Sequence, residues 1–336
     1  MAEIDPFVSV VLAVYNGEAL VSRCLKNLME SDYPAERYQI VIVDDSSTDN
    51  TVQLIHNLVE RHQTGPKISL HRMDKRVGYY SCTNYGIKHS NCDVIILYAH
   101  DLFSERHWIR AMVDAFGSGS DVGGVYGRVV TDSRGFLPPL YYAPIGIYPL
   151  AYKRWVFDAV GFFDERFKSR GDSEFLYRVK NGGIGMALCD EPPVFHPLRK
   201  LSLRNLIDYG KRRQYDALLY AKERRRSKDE RVLGGRLTGP IVGPFSPLGA
   251  TAIGLTLAGM VLLPIYSGHL VGLVTILLRV YGLGLALIGG LLHLLFPDAE
   301  ISPADRLRYI FWTPLFLLAV LLGRIYGSAR WRTLLL

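Results

Sequence analysis

The four cysteines of this 336-residue chain, Cys24, Cys82, Cys92 and Cys189, are scattered, and no two form a CxxC pair. That argues against a zinc site or a disulfide framework and suits a reducing compartment. No strand is followed by a GxGxxG turn, and nothing like a Walker loop occurs, which argues against a dinucleotide dehydrogenase or a P-loop enzyme. The opening residues, Met1 to Pro6, are acidic and lead straight into a strand, unlike a signal peptide. Excess positive charge is lacking outside one segment. The net charge is +7, but residues 199–236 hold 13 Lys/Arg against 5 Asp/Glu, a net of +8, so the rest sums to −1. Nucleic acid is one reading of such a segment. Its place just before an apolar region favours an anionic membrane surface and no nucleic acid.

What is present begins with Asp93 to Asp101. Val94 to Tyr98 are apolar with little alternation, the pattern of a strand buried on both faces of a parallel sheet. A carboxylate, Asp101, follows at the end where open α/β sheets bind ligands. Ser104 is placed to cap the next helix. Val8 to Val14 and Ile40 to Val43 read as further buried strands, and Ile68 to His71 as a short one. Helices are expected over Glu18 to Ser31, Thr51 to His62 and Gly78 to His89, the last with Gly86 inside it. Alternating strands and helices predict βαβ units and a mostly parallel sheet. Polar groups recur at the strand ends: Tyr15 and Asn16, then Asp44 and Asp45, then His100 and Asp101. Three strands delivering such groups to one edge suggest a nucleotide site. For Asp44 and Asp45 the competing reading is capping in an acidic turn.

The run Val-Ser-Val-Val-Leu-Ala-Val-Tyr-Asn, followed by Val-Ile-Val-Asp-Asp-Ser-Ser-Thr-Asp-Asn-Thr, resembles family 2 inverting glycosyltransferases of GT-A fold. The resemblance continues through Asn84 to Ile87, Asp93 to Ile109, Val160 to Phe167 and Gly171 to Glu174, over about residues 7–200. It implies that Ala13, Tyr15 and Asp45 face the nucleotide base and ribose. It also implies that Asp101 holds a divalent cation, Mn²⁺ or Mg²⁺, on the diphosphate. The family's Asp-x-Asp falls on Ala99, His100 and Asp101, so the first acid is lost. His100 is then either a metal ligand or a hydrogen-bonded strand-end residue, and an imidazole ligand would favour a transition metal over Mg²⁺. His196 is a third metal contact by the same resemblance, or else a buried structural histidine.

Downstream, Val122 to Tyr126 reads as a short strand, Leu137 to Pro149 as an irregular loop, and Ala151 to Val160 as a helix. Asp172 opens a helix over Ser173 to Lys180. In the family this is the Glu-Asp position whose Asp is the catalytic base; here Gly171 replaces the Glu. A hydroxyl is a poor nucleophile, so a positioned carboxylate must take its proton as the glycosidic bond forms, and a helix N-terminus favours that carboxylate as an anion. The alternative for Asp172 is an ordinary N-cap. Glu174 reads as structural.

Leu201 to Lys228 is helical in pattern. It holds Lys211-Arg212-Arg213-Gln214-Tyr215 where processive synthases of the family carry Gln-x-x-Arg-Trp, which favours single transfers. Three apolar stretches, about 246–266, 270–296 and 309–327, are each long enough to span a bilayer. The expected architecture is therefore an α/β GT-A domain over 1–200, basic interface helices over 201–243 and an all-α transmembrane region over 244–336. The expected protein is an integral membrane, inverting glycosyltransferase with its catalytic domain on the cytoplasmic side. It would move a sugar from a nucleotide-diphosphate donor to a hydroxyl of a lipid-linked acceptor. Two alternatives stand beside it: a polyprenyl-phosphate acceptor, and a non-catalytic nucleotide-sugar-binding membrane protein.

Overall fold

A computed structural model describes residues 5–61, 64–117, 121–131, 150–197, 203–223, 319 and 322–332. The chain divides into two compact units: Met1–Gly135 with Gly146–Leu198, and Phe136–Ile145 with Arg199–Leu336.

The first unit is built on one seven-stranded sheet. Its strands are β1 (Val8–Val14), β2 (Tyr38–Asp44), β3 (Lys67–Arg72), β4 (Val94–Ala99), β5 (Val122–Thr131), β6 (Leu150–Lys153) and β7 (Gly185–His196). They lie in the order β3-β2-β1-β4-β6-β5-β7. β1 to β4 are mutually parallel, β6 runs antiparallel to both neighbours, and β5 pairs parallel with β7. The even residues of β1 (Val8, Val10, Leu12, Val14) face a core with Ile40, Ile42, Ile96 and Tyr98. Onto that core pack α1 (Val21–Met29), α2 (Thr51–Arg61) and α4 (Trp108–Asp114), through Leu25, Leu28, Ile55 and Trp108. Ala13 and Val43 look the other way, toward α3 (Tyr79–Lys88) and its Cys82. Covering both faces is what forces the strand sequences to be continuously apolar.

Gly86 shows how closely α3 lies on the sheet: a Cβ there would sit 2.5 Å from Cγ1 of Val11. Beyond β6, α5 (Arg154–Val160) and α6 (Gly171–Asn181) enclose an aromatic cluster. In it the Phe175 ring lies 4.5 Å from Phe163, 5.0 Å from Tyr152 and 5.2 Å from Phe157.

Several expected elements differ in extent. The helix read over Ala151 to Val160 starts only at Arg154, because Leu150–Lys153 is taken by strand pairing with β4 and β5. β5 runs to Thr131, past the expected Tyr126. Ser104 is not the helix cap; α4 begins after His107, with no side-chain cap. In the second unit the expected single helix breaks at Arg213 into α7 (Leu203–Arg212) and α8 (Gln214–Glu223). A further helix over 322–330 meets them through glycines: a Cβ on Gly323 would strike the Gly210 carbonyl, and one on Gly327 the Gln214 carbonyl. Asp216, buried, is flanked by Arg213 at 3.6 Å and Arg324 at 3.3 Å.

Among the described residues no helix is long and apolar enough to cross a membrane. For those residues this overturns the expected integral-membrane placement. The apolar stretches 246–266 and 270–296, most of 309–327, the loop 137–149 and Arg224 to Arg226 lie outside the described residues.

Candidate functional site

Parallel pairing carries the ends of β1, β2 and β4 to one edge, with Ala13 in register with Val43 on one side and Ala99 on the other. Ala13 is buried with Cys82 beneath the loop before α3. Tyr15 follows, half-buried, with the Arg76 guanidinium 3.9 Å from its ring centre, a cation–π arrangement. Asn16 has a left-handed backbone (φ 48°) and points at the β2 loop. Its side-chain oxygen accepts from the Thr48 amide at 2.9 Å, and its backbone N–H donates to Ser47 Oγ at 2.9 Å. The Asn16 side chain therefore ties two loops together.

The two acids after β2 have separate partners. Asp44, fully buried, accepts from the Ser47 amide at 3.0 Å and lies 3.5 Å from Nε of Arg72, while its Oδ1 has no hydrogen-bond partner. This is the turn-capping arrangement that competed with a ligand role. Asp45 accepts from the backbone amides of Val77 at 2.6 Å and Gly78 at 3.0 Å, and so fixes the loop that leads into α3. Burial, reinforced by the Asp45 charge, pushes the Cys82 thiol up.

At the end of β4, Asp101 is buried, and Nε2 of His196 from β7 lies 3.5 Å from its carboxylate. The Phe103–Phe195 bridge aligns these two segments. His100 goes elsewhere: its ring lies against Gly17, where a Cβ would sit 2.8 Å from Cδ2. The set His100, Asp101, His196 expected from sequence is thus not gathered as one cluster. Among the described residues no group of three or more His, Cys, Asp or Glu is placed to hold a metal ion. The pair Asp101 and His196 remains, a carboxylate beside an imidazole, and that donor set suits Mn²⁺ better than Mg²⁺.

Asp172 lies in the first turn of α6, just after Arg170, whose backbone is left-handed (φ 70°). Burial raises its carboxyl above the usual range; the Ser173 amide, the Arg170 charge and the Tyr80 hydroxyl oppose that without cancelling it. The Tyr80 hydroxyl donates to Oδ1 of Asp172 at 3.2 Å and accepts from the Asp172 amide at 3.2 Å. α3 also holds the preceding turn. Asn84 donates to the Phe163 carbonyl at 2.9 Å and accepts from its amide at 3.0 Å, and Ser81 donates to Glu165 at 3.0 Å. Glu174 is fully buried and paired with Arg178 at 2.9 Å, and Arg178 also donates to the Phe162 carbonyl at 2.7 Å. Sequence reasoning missed Tyr80 and Arg76. The one signal for Tyr80 was Gly171 standing where the family carries a larger residue, and it could not say what filled the space.

The family described as Glycosyl transferase family 2 matches residues 9–180, just over half of the chain. The chain belongs to that family. It is therefore a glycosyltransferase, and the non-catalytic alternative is set aside. Among curated relatives it is 31% identical over 110 residues to a dolichyl N-acetyl-alpha-D-glucosaminyl phosphate 3-beta-D-2,3-diacetamido-2,3-dideoxy-beta-D-glucuronosyltransferase of Methanococcus voltae. That alignment covers 33% of this chain and 34% of the relative. It is 30% identical over 128 residues to the undecaprenyl-phosphate 4-deoxy-4-formamido-L-arabinose transferase of Edwardsiella ictaluri, covering 38% of this chain and 39% of the relative. The match thus spans little more than a third of either protein. Among solved structures, the mannosyltransferase PcManGT of Pyrobaculum calidifontis, in complex with GDP-Man and Mn²⁺, superposes with a TM-score of 0.61. That superposition has 22% identity and covers 96% of this chain and 88% of that one. The mixed, mostly parallel sheet of this family 2 enzyme accordingly matches a GT-A fold.

Proposed function

We propose that this glycosyltransferase moves a sugar, with inversion, from a nucleotide-diphosphate donor to a hydroxyl of a lipid-linked acceptor. The observation that carries the reading is Asp172: a carboxyl raised by burial, held by a tyrosine hydroxyl at the N-terminus of a helix. Such a group suits general-base work on a hydroxyl, because its proton affinity moves toward the operating pH. Asp172 takes the acceptor proton as the acceptor oxygen bonds to the anomeric carbon. The bond from that carbon to the diphosphate breaks, and the nucleoside diphosphate leaves with the electron pair. Tyr15, Ala13 and the loop fixed by Asp45 form the edge proposed for the nucleoside. Asp101 and His196 would hold a divalent cation, which supplies positive charge to the leaving diphosphate. The printed names of the relatives, one acting on a dolichyl-phosphate-linked sugar and one on undecaprenyl phosphate, support a lipid-linked acceptor and leave two acceptor chemistries.

The test is direct. The purified chain is incubated with UDP-glucose, UDP-N-acetylglucosamine or GDP-mannose, with Mn²⁺, and with either a polyprenyl phosphate or a polyprenyl-phosphate-linked sugar. Mass spectrometry and NMR locate the new bond and its anomeric configuration. Transfer to a sugar hydroxyl with inversion supports the reading. Transfer only to the phosphate, undiminished in Asp172→Asn, removes the base and leaves the polyprenyl-phosphate alternative.

A further inference from the structure

We propose that Tyr80 is the positioning residue of the Asp172 carboxylate, and that Gly171 is required because the Tyr80 ring occupies the volume beside it. The inference rests on the base role of Asp172 and assigns how that base is held. Tyr80 lies on the second residue of α3, is 4% exposed, and makes two hydrogen bonds to a single residue, one to its carboxylate and one from its amide. The pair fixes both the side chain and the backbone of Asp172. The ring is itself held: it stacks on Phe163 at 5.5 Å and meets Tyr79 edge-on at 5.2 Å.

Gly171 completes the arrangement. A Cβ there would lie 2.7 Å from Cζ and Cε2 of Tyr80, closer than real Cβ contacts come, and the clamped ring has little freedom to yield. The glutamate expected at this position by family resemblance cannot enter while Tyr80 stands. The hydroxyl next to the base therefore comes from a different helix, and the preceding position is emptied to admit its ring. The groups that face Asp172 are Tyr80 from α3, Arg170 from the preceding loop and Tyr152 from β6, whose own hydroxyl is buried without a hydrogen-bond partner.

A hydrogen bond donated to a carboxylate favours its ionised form, so losing it raises the titration midpoint. The full chain is labelled with [4-¹³C]aspartate, and the resonance absent from Asp172→Asn identifies the carboxyl. Tyr80→Phe, which keeps the ring and its stack on Phe163, is expected to raise the Asp172 midpoint by about one pH unit, the scale of one hydrogen bond to a charged group. The acid limb of turnover, on whichever of the three donors is used, should move up with it while the donor KM stays unchanged. A folded Tyr80→Phe protein with an unmoved Asp172 midpoint overturns the positioning role, since a purely structural tyrosine would change stability alone. For the packing half, Gly171→Ala should lower Tm in the wild-type background and cost little in Tyr80→Ala; an equal loss in both overturns it. Asp172→Asn separates the two levels of argument. Undiminished transfer in that variant removes the base and this inference together. Lost transfer with an unmoved midpoint in Tyr80→Phe removes this inference alone.

Discussion

Asp172 and Asp101 carry opposite demands. As the proposed base, Asp172 would have to be ionised to act, yet its surroundings hold the proton more tightly than water does. The folded midpoint lies above the unfolded one, so the native state binds more protons between the two. Stability therefore falls as pH rises through that window and stays lowered above it. Asp172→Asn removes a partly desolvated charge and is expected to raise Tm at neutral pH, with the difference from wild type shrinking as the pH drops below the carboxylate range. Differential scanning calorimetry at several pH values reads this. The same variant should keep donor binding and lower transfer about 100-fold or more, the scale of a lost general base. Asp101→Ala should do the reverse, abolishing Mn²⁺-dependent binding of UDP or GDP in calorimetry. Unchanged binding by the folded variant would take Asp101 out of the site.

At the scale of elements, α6 is pinned by an ion pair between its first and last turns. Glu174 is wholly buried and its charge is met by Arg178, which also reaches the carbonyls of Val160 and Phe162. Glu174→Ala leaves a largely buried guanidinium without its carboxylate, and removing one partner of a buried pair costs about 3–5 kcal/mol. Urea unfolding of the full chain should show that loss, and a variant as stable as wild type would mean that the pair is dispensable. On α3, Gly86→Val drives a branched side chain into Val11 and is expected to cost about 1–3 kcal/mol by overpacking. These elements also mark how far the sequence could be read. β1, β2 and β4 were legible because burial on both faces leaves runs such as Val94 to Tyr98 almost wholly apolar. β6 was not, since Leu-Ala-Tyr-Lys suits a helix as well as a strand and only the open edges of β4 and β5 decide it. Asp44, Asp45, Asp101 and Asp172 could be found by their places at strand and helix ends. What each touches could not be found that way: Asp45 the amides of Val77 and Gly78, and Asp172 the hydroxyl of Tyr80; nor could the packing of the His100 ring against Gly17.

The whole molecule is electrically lopsided. Residues 1–135 and 146–198, the unit of the sheet, hold 20 Lys/Arg against 24 Asp/Glu, a net of −4, while the other unit holds 19 against 8, a net of +11, most of it in residues 199–236. An acceptor bearing a lipid phosphate should therefore feel ionic strength more than the donor does. Raising salt from 0.05 to 0.5 M should increase the KM for the lipid acceptor several-fold, as the Debye length shrinks below about 10 Å, and change the donor KM little. Arg224→Gln, Arg225→Gln and Arg226→Gln combined should flatten that dependence; an unchanged salt profile would make the segment a solvated face only. The two units also differ in when they can be finished. The last strand of the catalytic sheet ends at His196, so its hydrogen-bonded frame can close while the ribosome is still making the rest. In the other unit Asp216 waits for Arg324, 108 residues downstream, and Gln214 for Arg330, 116 residues downstream. During translation, then, the sheet precedes the helices of the second unit, and a premature stop anywhere between residues 223 and 319 would release α7 and α8 without the helix whose Gly323 and Gly327 meet Gly210 and Gln214, and would leave Asp216 without Arg324.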